Sequence, residues 1–384
     1  MQITLDLSPI VHRKAGLGRY AAALAEQLVT QDKINAYTAF AYGRFDDAML
    51  APALRALPRA TIPLDARPYR LSAWLAHALN VPMDRAFPRA DLFHATEHLL
   101  PRFKNTKTVF TLHDLIFQFF PAYHLPLNKW FLTNAMPHFL KRADAIIAVS
   151  EWTKRDAIRL YNLPPEKITV IYEAADPALK PVNDPGIIAN ARARYANNQP
   201  FVFFVSTIEP RKNIRALVDA LKILRARGFP QRLLIAGRKG WLYQPTFDHV
   251  KQTGMEDLVS FLDFVPDVDL RALYAACDAF VFPSLYEGFG LPSLEALSCG
   301  APVVCANNSS LPEVVGDAAV LIDPHDPGDI ARAVERVITD RAWRAELRTR
   351  GFAQAAKFSW ERAARETLAV YDQVNSRRGD AATR

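Results

Sequence analysis

The sequence predicts an α/β protein made of two Rossmann-like, doubly wound domains, and three observations carry that reading. The chain has 384 residues, too many for one ordinary hydrophobic core and a natural length for two. Its second half alternates short apolar β-type runs with helical stretches, and parallel strands require such crossovers. Each half also holds a strand that passes through a glycine-punctuated segment into a helix: Gln2–Leu7 before A-G-L-G-R-Y, and Ala279–Phe282 before Y-E-G-F-G-L-P.

Taken in order, Gln2–Leu7 alternates as a strand and ends in Ser8-Pro9, and the glycine loop with Gly16 and Gly18 leads into a helix over Tyr20–Val29. The strict G-x-G-x-x-G dinucleotide fingerprint is absent, which argues against a nicotinamide oxidoreductase. Short strands follow near Ala36–Ala41 and Leu92–His94. His94, Glu97 and His98 cluster in A-D-L-F-H-A-T-E-H, but the spacing is not H-E-x-x-H, so a strand-end loop is the better reading than a metal site. Lys107–Leu112 is a strand with His113-Asp114 at its carboxyl end, where ligands of open α/β sheets bind. The aromatic-rich stretch Asn128–Arg142 reads as a packing helix. Ala145–Val149 and Ile168–Tyr172 are strands, and Ser150 caps the helix between them. Prolines, asparagines and a glycine between Pro177 and Pro200 mark the domain boundary, giving residues 1–180 and 181–357. A last helix covers 358–376, and the tail from Asn375, rich in arginine, is expected to lack order.

In the second domain the strands are Phe201–Val205, Arg232–Ala236, Leu258–Leu262, Ala279–Phe282, Pro302–Val304 and Ala319–Ile322, with a helix from Asn213 and helices over Gly328–Lys357. The chemistry concentrates after two of these strands. In L-P-S-L-E-A-L a helix begins near Leu291, with Pro292 suited to its first turn. Gly288 and Gly290 permit positive φ and close approach of a ligand. The N–H groups over residues 290 to 293 point out of the helix end, where the macrodipole favours an anion. Glu287 and Glu295 flank this array, and carboxylates beside an anion site make sense when they accept hydrogen bonds from hydroxyls, as sugars supply. Opposite, S-T-I-E-P-R-K-N places Arg211 and Lys212 at a strand-to-helix junction, suited to the charge that grows on a diphosphate leaving group.

Composition narrows the class. No run approaches the ~20 apolar residues of a membrane span, and the N-terminus, with Asp6 and no basic region, reads as a strand rather than a signal peptide. Three cysteines, Cys277, Cys299 and Cys305, lack metal-ligand spacing and suit a reducing cytosol. The net charge is +7, almost all of it on the first 180 residues. Such a bias steers toward an anionic membrane face or an anionic acceptor, although a solvated surface accounts for it equally well. No basic stripe interleaved with aromatics points to nucleic acid.

The segment E-G-F-G-L-P-S-L-E with A-L-S-C-G-A-P-V-V resembles the E-x7-E signature of retaining GT-B glycosyltransferases of family four, and E-P-R-K-N and T-L-H-D match the same family. The resemblance spans most of the chain and is similar in kind to bacterial polysaccharide mannosyltransferases. It implies two Rossmann-like domains facing across a cleft, the acceptor on the first and the nucleotide sugar on the second, with the helix over 358–376 packing back on the first domain. It implies that Glu295 takes ribose hydroxyls and Glu287 sugar hydroxyls. Backbone N–H groups of Phe289, Gly290 and Leu291 hold sugar and phosphate oxygens, Val265 lies beside the base, and Gly16 and Gly18 close over the donor. Arg211 and Lys212 face the diphosphate, and His113 approaches the sugar. The implied activity is transfer of a hexose, mannose from GDP-mannose favoured, to a glycan or lipid-linked glycan of lipopolysaccharide type, at the cytoplasmic side and in peripheral contact with the inner membrane. No cofactor and no metal are expected, because the retaining GT-B enzymes that the chain resembles do not generally need a bound metal. A GT-B epimerase, a phosphorylase and a non-catalytic nucleotide-sugar-binding subunit are the alternatives. Where the family usually shows an asparagine–glycine turn, this chain has Y-E-A-A-D-P at 172–177.

Overall fold

The computed structural model describes residues 1–182 and 184–382, with the helical backbone alone over 377–382. Asn183, within the expected boundary stretch, lies outside the described residues. The chain divides into two compact units. The first comprises Met1–Phe119, Pro126–Glu173 and the C-terminal segment from Ser359, and the second comprises Phe120–Leu125 and Ala174–Phe358.

The first unit holds a seven-stranded sheet of β1 (Gln2–Asp6), β2 (Ala36–Tyr42), β3 (Arg59–Ile62), β4 (Leu92–Ala95), β5 (Lys107–Leu112), β6 (Ala145–Ala148) and β7 (Ile168–Val170). The second holds β8 (Phe201–Val205), β9 (Arg232–Ala236), β10 (Val259–Phe261), β11 (Ala279–Phe282), β12 (Val303–Ala306) and β13 (Ala319–Ile322). The strand orders are β3-β2-β1-β4-β5-β6-β7 and β10-β9-β8-β11-β12-β13. Every pairing is parallel, with Ile3 level with Leu92 in one sheet and Phe280 level with Phe203 and Val303 in the other. Central strands such as F-V-F-F-V and A-F-V-F are continuously apolar because helices cover both faces of each sheet. Each order reverses beside its first strand, so the topological switch points lie at β1/β4 and at β8/β11. At such points the loops leaving the carboxyl ends of two strands diverge and open a crevice for a ligand.

Two expectations need correction. After β1 come a short helix Ser8–Val11 and then a long helix Ala15–Gln31, so Gly16 and Gly18 sit in the first turns of the second rather than in a loop. A Cβ on Gly18 would lie 3.0 Å from the Pro9 carbonyl oxygen, whereas Gly16 faces open space. Gly18 therefore serves close packing of two backbone segments, a use of glycine that its spacing alone does not distinguish from a ligand loop. The last helix runs Trp360–Ala382, so residues from Asn375 continue it. That helix packs on the helix Ala15–Gln31 and against β5 and β6. His94, buried on β4, is clamped between the Tyr371 hydroxyl at 2.6 Å and Thr111 Oγ1 at 2.8 Å. His94 thus ties the last helix to the sheet. Burial depresses its pKa to about 3, keeping the ring neutral there.

Among the described residues no helix is long and apolar enough to cross a membrane. The three cysteines are free and buried, and burial raises all three thiols.

Candidate active site

The second unit's switch point assembles the densest buried charge cluster described in that unit. After β8 the chain makes a single 3-10 turn over Pro210–Lys212, and Asn213, in the left-handed region at φ 56°, starts the helix Ile214–Ala226. Its side-chain amide donates to the carbonyls of Pro283 (3.1 Å) and Pro324 (2.7 Å), joining the loops after β8, β11 and β13. The Leu285 N–H donates to the Arg211 carbonyl at 2.9 Å. The two loops named from sequence are therefore one hydrogen-bonded structure.

Glu287 is its centre. Lys212 Nζ lies 2.7 Å from Glu287 Oε1, and Arg211 Nη1 lies 2.8 Å from Oε2. Arg211 also donates to the Tyr286 carbonyl at 2.8 Å and, through Nη2, to Glu209 Oε1 at 2.5 Å. Glu209, Lys212 and Glu287 are all buried. Burial alone would raise the Glu287 carboxyl, but Arg211 and then Lys212 outweigh it and hold it at about 2. Lys212 moves down, chiefly through burial and then the neighbouring Arg211, with Glu287 and Glu209 opposing. Two cations face two carboxylates, so the cluster is near neutral by itself. Glu209 had no role in the sequence reading, although it stands three residues before Lys212 in the quoted E-P-R-K-N. One of its oxygens, Oε2, is buried without a partner.

Serines from the loop after β12 fix the backbone around Glu287. Ser309 Oγ accepts from the Glu287 N–H at 3.0 Å, and Ser310 Oγ donates to the Glu287 and Phe289 carbonyls at 3.0 and 2.8 Å. Sequence reasoning missed this support in N-N-S-S, since serines in loops are too common to signal it. Gly290 caps the helix Leu291–Ser298 at φ 104°, and a Cβ there would stand 2.6 Å from Leu311 Cδ2. Glycine is thus required for conformation and for space. The donor array is smaller than expected: Pro292 has no N–H, and the Ser293 N–H bonds the Gly290 carbonyl at 3.0 Å. Phe289 is buried, and Gly290 and Leu291 stand at the helix start, where N–H groups lack intrahelical partners. Glu295, one turn further in and buried, accepts from the Tyr274 hydroxyl at 3.3 Å. Val265 packs its side chain into the second unit's core, leaving its backbone as the part able to meet a ligand.

In the first unit, His113 follows β5 and is buried. Its Nε2 faces the Thr96 carbonyl at 2.9 Å and its Nδ1 faces Glu173 Oε1 at 3.3 Å. A carbonyl only accepts, so Nε2 carries a hydrogen and is not a base in this arrangement. Glu173 comes from Y-E-A-A-D-P, the segment that departs from the family's usual turn. The backbone N–H groups of His113 and Asp114 donate to His98 Nε2 at 3.1 and 3.4 Å, and Glu97 meets Lys14 and Tyr42. His94, Glu97 and His98 each have protein partners, and no group of three or more His, Cys, Asp or Glu suited to a metal occurs among the described residues.

The sheet orders, the switch-point loops and the E-x7-E segment together define a glycosyltransferase of the GT-B type. The chain belongs to that family: residues 189–356 match the glycosyl transferases group 1 model and residues 15–179 match glycosyltransferase family 4. It is 33% identical to O-antigen chain mannosyltransferase B of Escherichia coli over 97% of this chain and 99% of that protein. It is 36% identical to the serotype-specific mannosyltransferase WbdA of Escherichia coli over 66% of this chain but 32% of that longer protein. In structure it is similar to Anabaena HepE, crystallised with UDP-glucose, with a TM-score of 0.74, 22% identity and 97% and 100% of the two chains covered.

Proposed function

We propose that the chain transfers a hexose, with mannose from GDP-mannose favoured, from a nucleotide sugar to a glycan or lipid-linked glycan with retention at the anomeric carbon. The observation that carries this reading is the buried Arg211–Lys212–Glu287 cluster at the β8/β11 switch point. The name of the 33% identical relative supports the choice of mannose.

The cluster suggests how charge is managed. In the free protein both cations neutralise Glu287. A diphosphate offers the same cations a second anion whose charge grows as its bond to the sugar breaks. Lys212 and Arg211 then shift their attraction toward the leaving group, and Glu287 is released electrostatically to face the positive charge at the anomeric carbon. Interactions that strengthen only in the transition state are the ones that accelerate the step. Glu295 holds the ribose hydroxyls, and the N–H groups of Phe289, Gly290 and Leu291 hold sugar and phosphate oxygens. Val265 offers its backbone to the base. His113 would serve the transferred sugar as a donor by turning its Nε2–H from the Thr96 carbonyl to a sugar hydroxyl. No carboxylate besides Glu287 is assigned to the sugar, and its part in this scheme is electrostatic, so same-face attack is the favoured route. The acceptor oxygen bonds to the anomeric carbon, the bond to phosphate breaks, and the acceptor proton passes to the leaving phosphate oxygen. Gly16 and Gly18 retain a role only through the helix end they build. No metal takes part in this scheme, and peripheral contact with the inner membrane fits the basic first domain.

The test is incubation with a panel of sugar nucleotides, with and without a mannose-containing glycan acceptor, following nucleotide release. GDP release dependent on acceptor supports the reading. Turnover of the sugar nucleotide without any acceptor favours an epimerase, and no turnover favours a binding subunit.

A further inference from the structure

At the amino edge of the seven-stranded sheet, opposite the strand ends that carry His113 and Glu97, lies a cavity of about 270 Å³. It is bounded by the starts of β5 and β6, the loop 100–106, and the last turns of the helices Ala66–Ala78 and Pro126–Arg142. Its lining holds four cations, Arg102, Lys104, Lys107 and Arg142, against one carboxylate, Asp144.

The carboxylates nearby are already engaged. Asp144 accepts from Lys107 Nζ at 2.9 Å and from the Thr108 N–H and hydroxyl at 2.9 and 3.0 Å. Asp84 accepts the backbone N–H groups of Lys104 and Asn105 at 2.9 and 2.8 Å. Arg102 and Arg142 instead converge on one neutral oxygen, Asn80 Oδ1, at 2.8 and 3.1 Å. Two guanidinium groups sharing an amide oxygen repel each other, and burial and then Arg102 lower the pKa of Arg142 accordingly. The helix C-termini at this edge attract cations, which accounts for one basic residue per helix end but not for the pairing of Arg102 with Arg142.

A second observation is independent of charge. His77 lines the cavity, is 1% exposed, and donates from Nε2 to the Leu100 carbonyl at 2.9 Å. Its Nδ1, left as a lone-pair acceptor in the neutral ring, is buried with no hydrogen-bond partner. A ligand hydroxyl, such as that of a hydrogen phosphate or a glycerol headgroup, would meet it. Buried polar atoms are rarely left unpaired.

We propose that this cavity binds a phosphate group, held by Arg102, Arg142 and Lys104, at a site separate from the donor site. Guanidinium forks match phosphate oxygens in geometry, and the anion relieves the repulsion between the two arginines. Leu79 and Val81, 68% and 54% exposed, flank Asn80 in the chain. The phosphate therefore has two sources to separate, a soluble phosphate compound and an anionic lipid headgroup.

The experiment uses the full chain and three variants: Lys104→Gln, Arg142→Gln and the charge-keeping Lys104→Arg. Calorimetric titration with inorganic phosphate and with diphosphate is run against chloride at matched ionic strength, and flotation is run with phosphatidylglycerol and phosphatidylcholine vesicles. A soluble source gives a binding heat that weakens about tenfold in Lys104→Gln and Arg142→Gln and survives in Lys104→Arg. A lipid source gives flotation with phosphatidylglycerol alone, lost in the same two variants. Nucleotide release remains unchanged in all three. Absence of both signals in the unmodified chain, or equal binding by the glutamine variants, overturns the proposal, and neither result bears on the transfer reaction.

Discussion

Replacing Glu287 by Gln keeps the shape of the side chain and removes the anion that buried Lys212 and partly buried Arg211 share. In the folded chain the carboxyl is held at about 2 against an ordinary 4.5. At ~1.36 kcal/mol per unit, the anion gains about 3 kcal/mol on folding. Lys212 offsets part of this, since burial disfavours its charged form, so the intact pair contributes less than that figure. Removal of one partner is more costly than the pair's net value, because it strands Lys212 and Arg211 with Glu209 alone. The expected loss is about 3 kcal/mol, or a fall in Tm of roughly 6–12 °C for a domain of this size. The sign with pH follows from the lowered carboxyl. The stabilisation is complete above about 4.5 and is lost as pH falls toward 2, so the gap between the two proteins narrows on acidification. Circular dichroism melts of both proteins at pH 7, 5 and 3 measure it. A difference below ~1 kcal/mol at pH 7, or a gap that does not change with pH, would refute the electrostatic account of the cluster.

Two further outcomes are expected. Lys212→Ala lowers kcat about 10²-fold or more, the scale for losing one preorganised charge stabiliser, and a rise in donor KM with kcat intact would show the lysine to be a uniform binding group. Transfer continues at full rate in EDTA, and activity lost to the chelator and restored by Mn²⁺ or Mg²⁺ would show that a divalent ion carries the diphosphate.

Strands were legible where apolar runs were short and bounded: Lys107–Leu112, Phe201–Val205, Arg232–Ala236, Ala279–Phe282 and Ala319–Ile322 all stand as read. Helix ends were less so. A glycine pair at 16 and 18 signals a loop by propensity, but tertiary packing on Pro9 keeps it helical. The arginine-rich tail after Val374 likewise gave no measure of how far the last helix extends. At the site, Glu287, Glu295, Arg211 and Lys212 stood out chiefly because E-G-F-G-L-P-S-L-E and E-P-R-K-N resemble the family's motifs, their spacing alone being a weak signal. Their partners did not. Glu209, Ser309, Ser310 and Tyr274 are ordinary residues whose role depends on which loops the sheet order brings together, and Glu173 lies in a segment whose sequence departs from the usual turn. The switch between β8 and β11, which makes one site of loops 75 residues apart, has no local sequence signature.

Donor saturation kinetics on Glu287→Gln and Glu295→Gln, run well below the melting midpoint of each, test the central claim most directly. Ribose contacts change little as the sugar–phosphate bond breaks, so Glu295→Gln should raise the donor KM and leave kcat near that of the unmodified enzyme. Glu287 faces developing charge, so Glu287→Gln should lower kcat by about 10²-fold, equivalent to ~3 kcal/mol, with a smaller effect on KM. The reverse pattern would mean that sugar and ribose occupy the opposite ends of the E-x7-E segment.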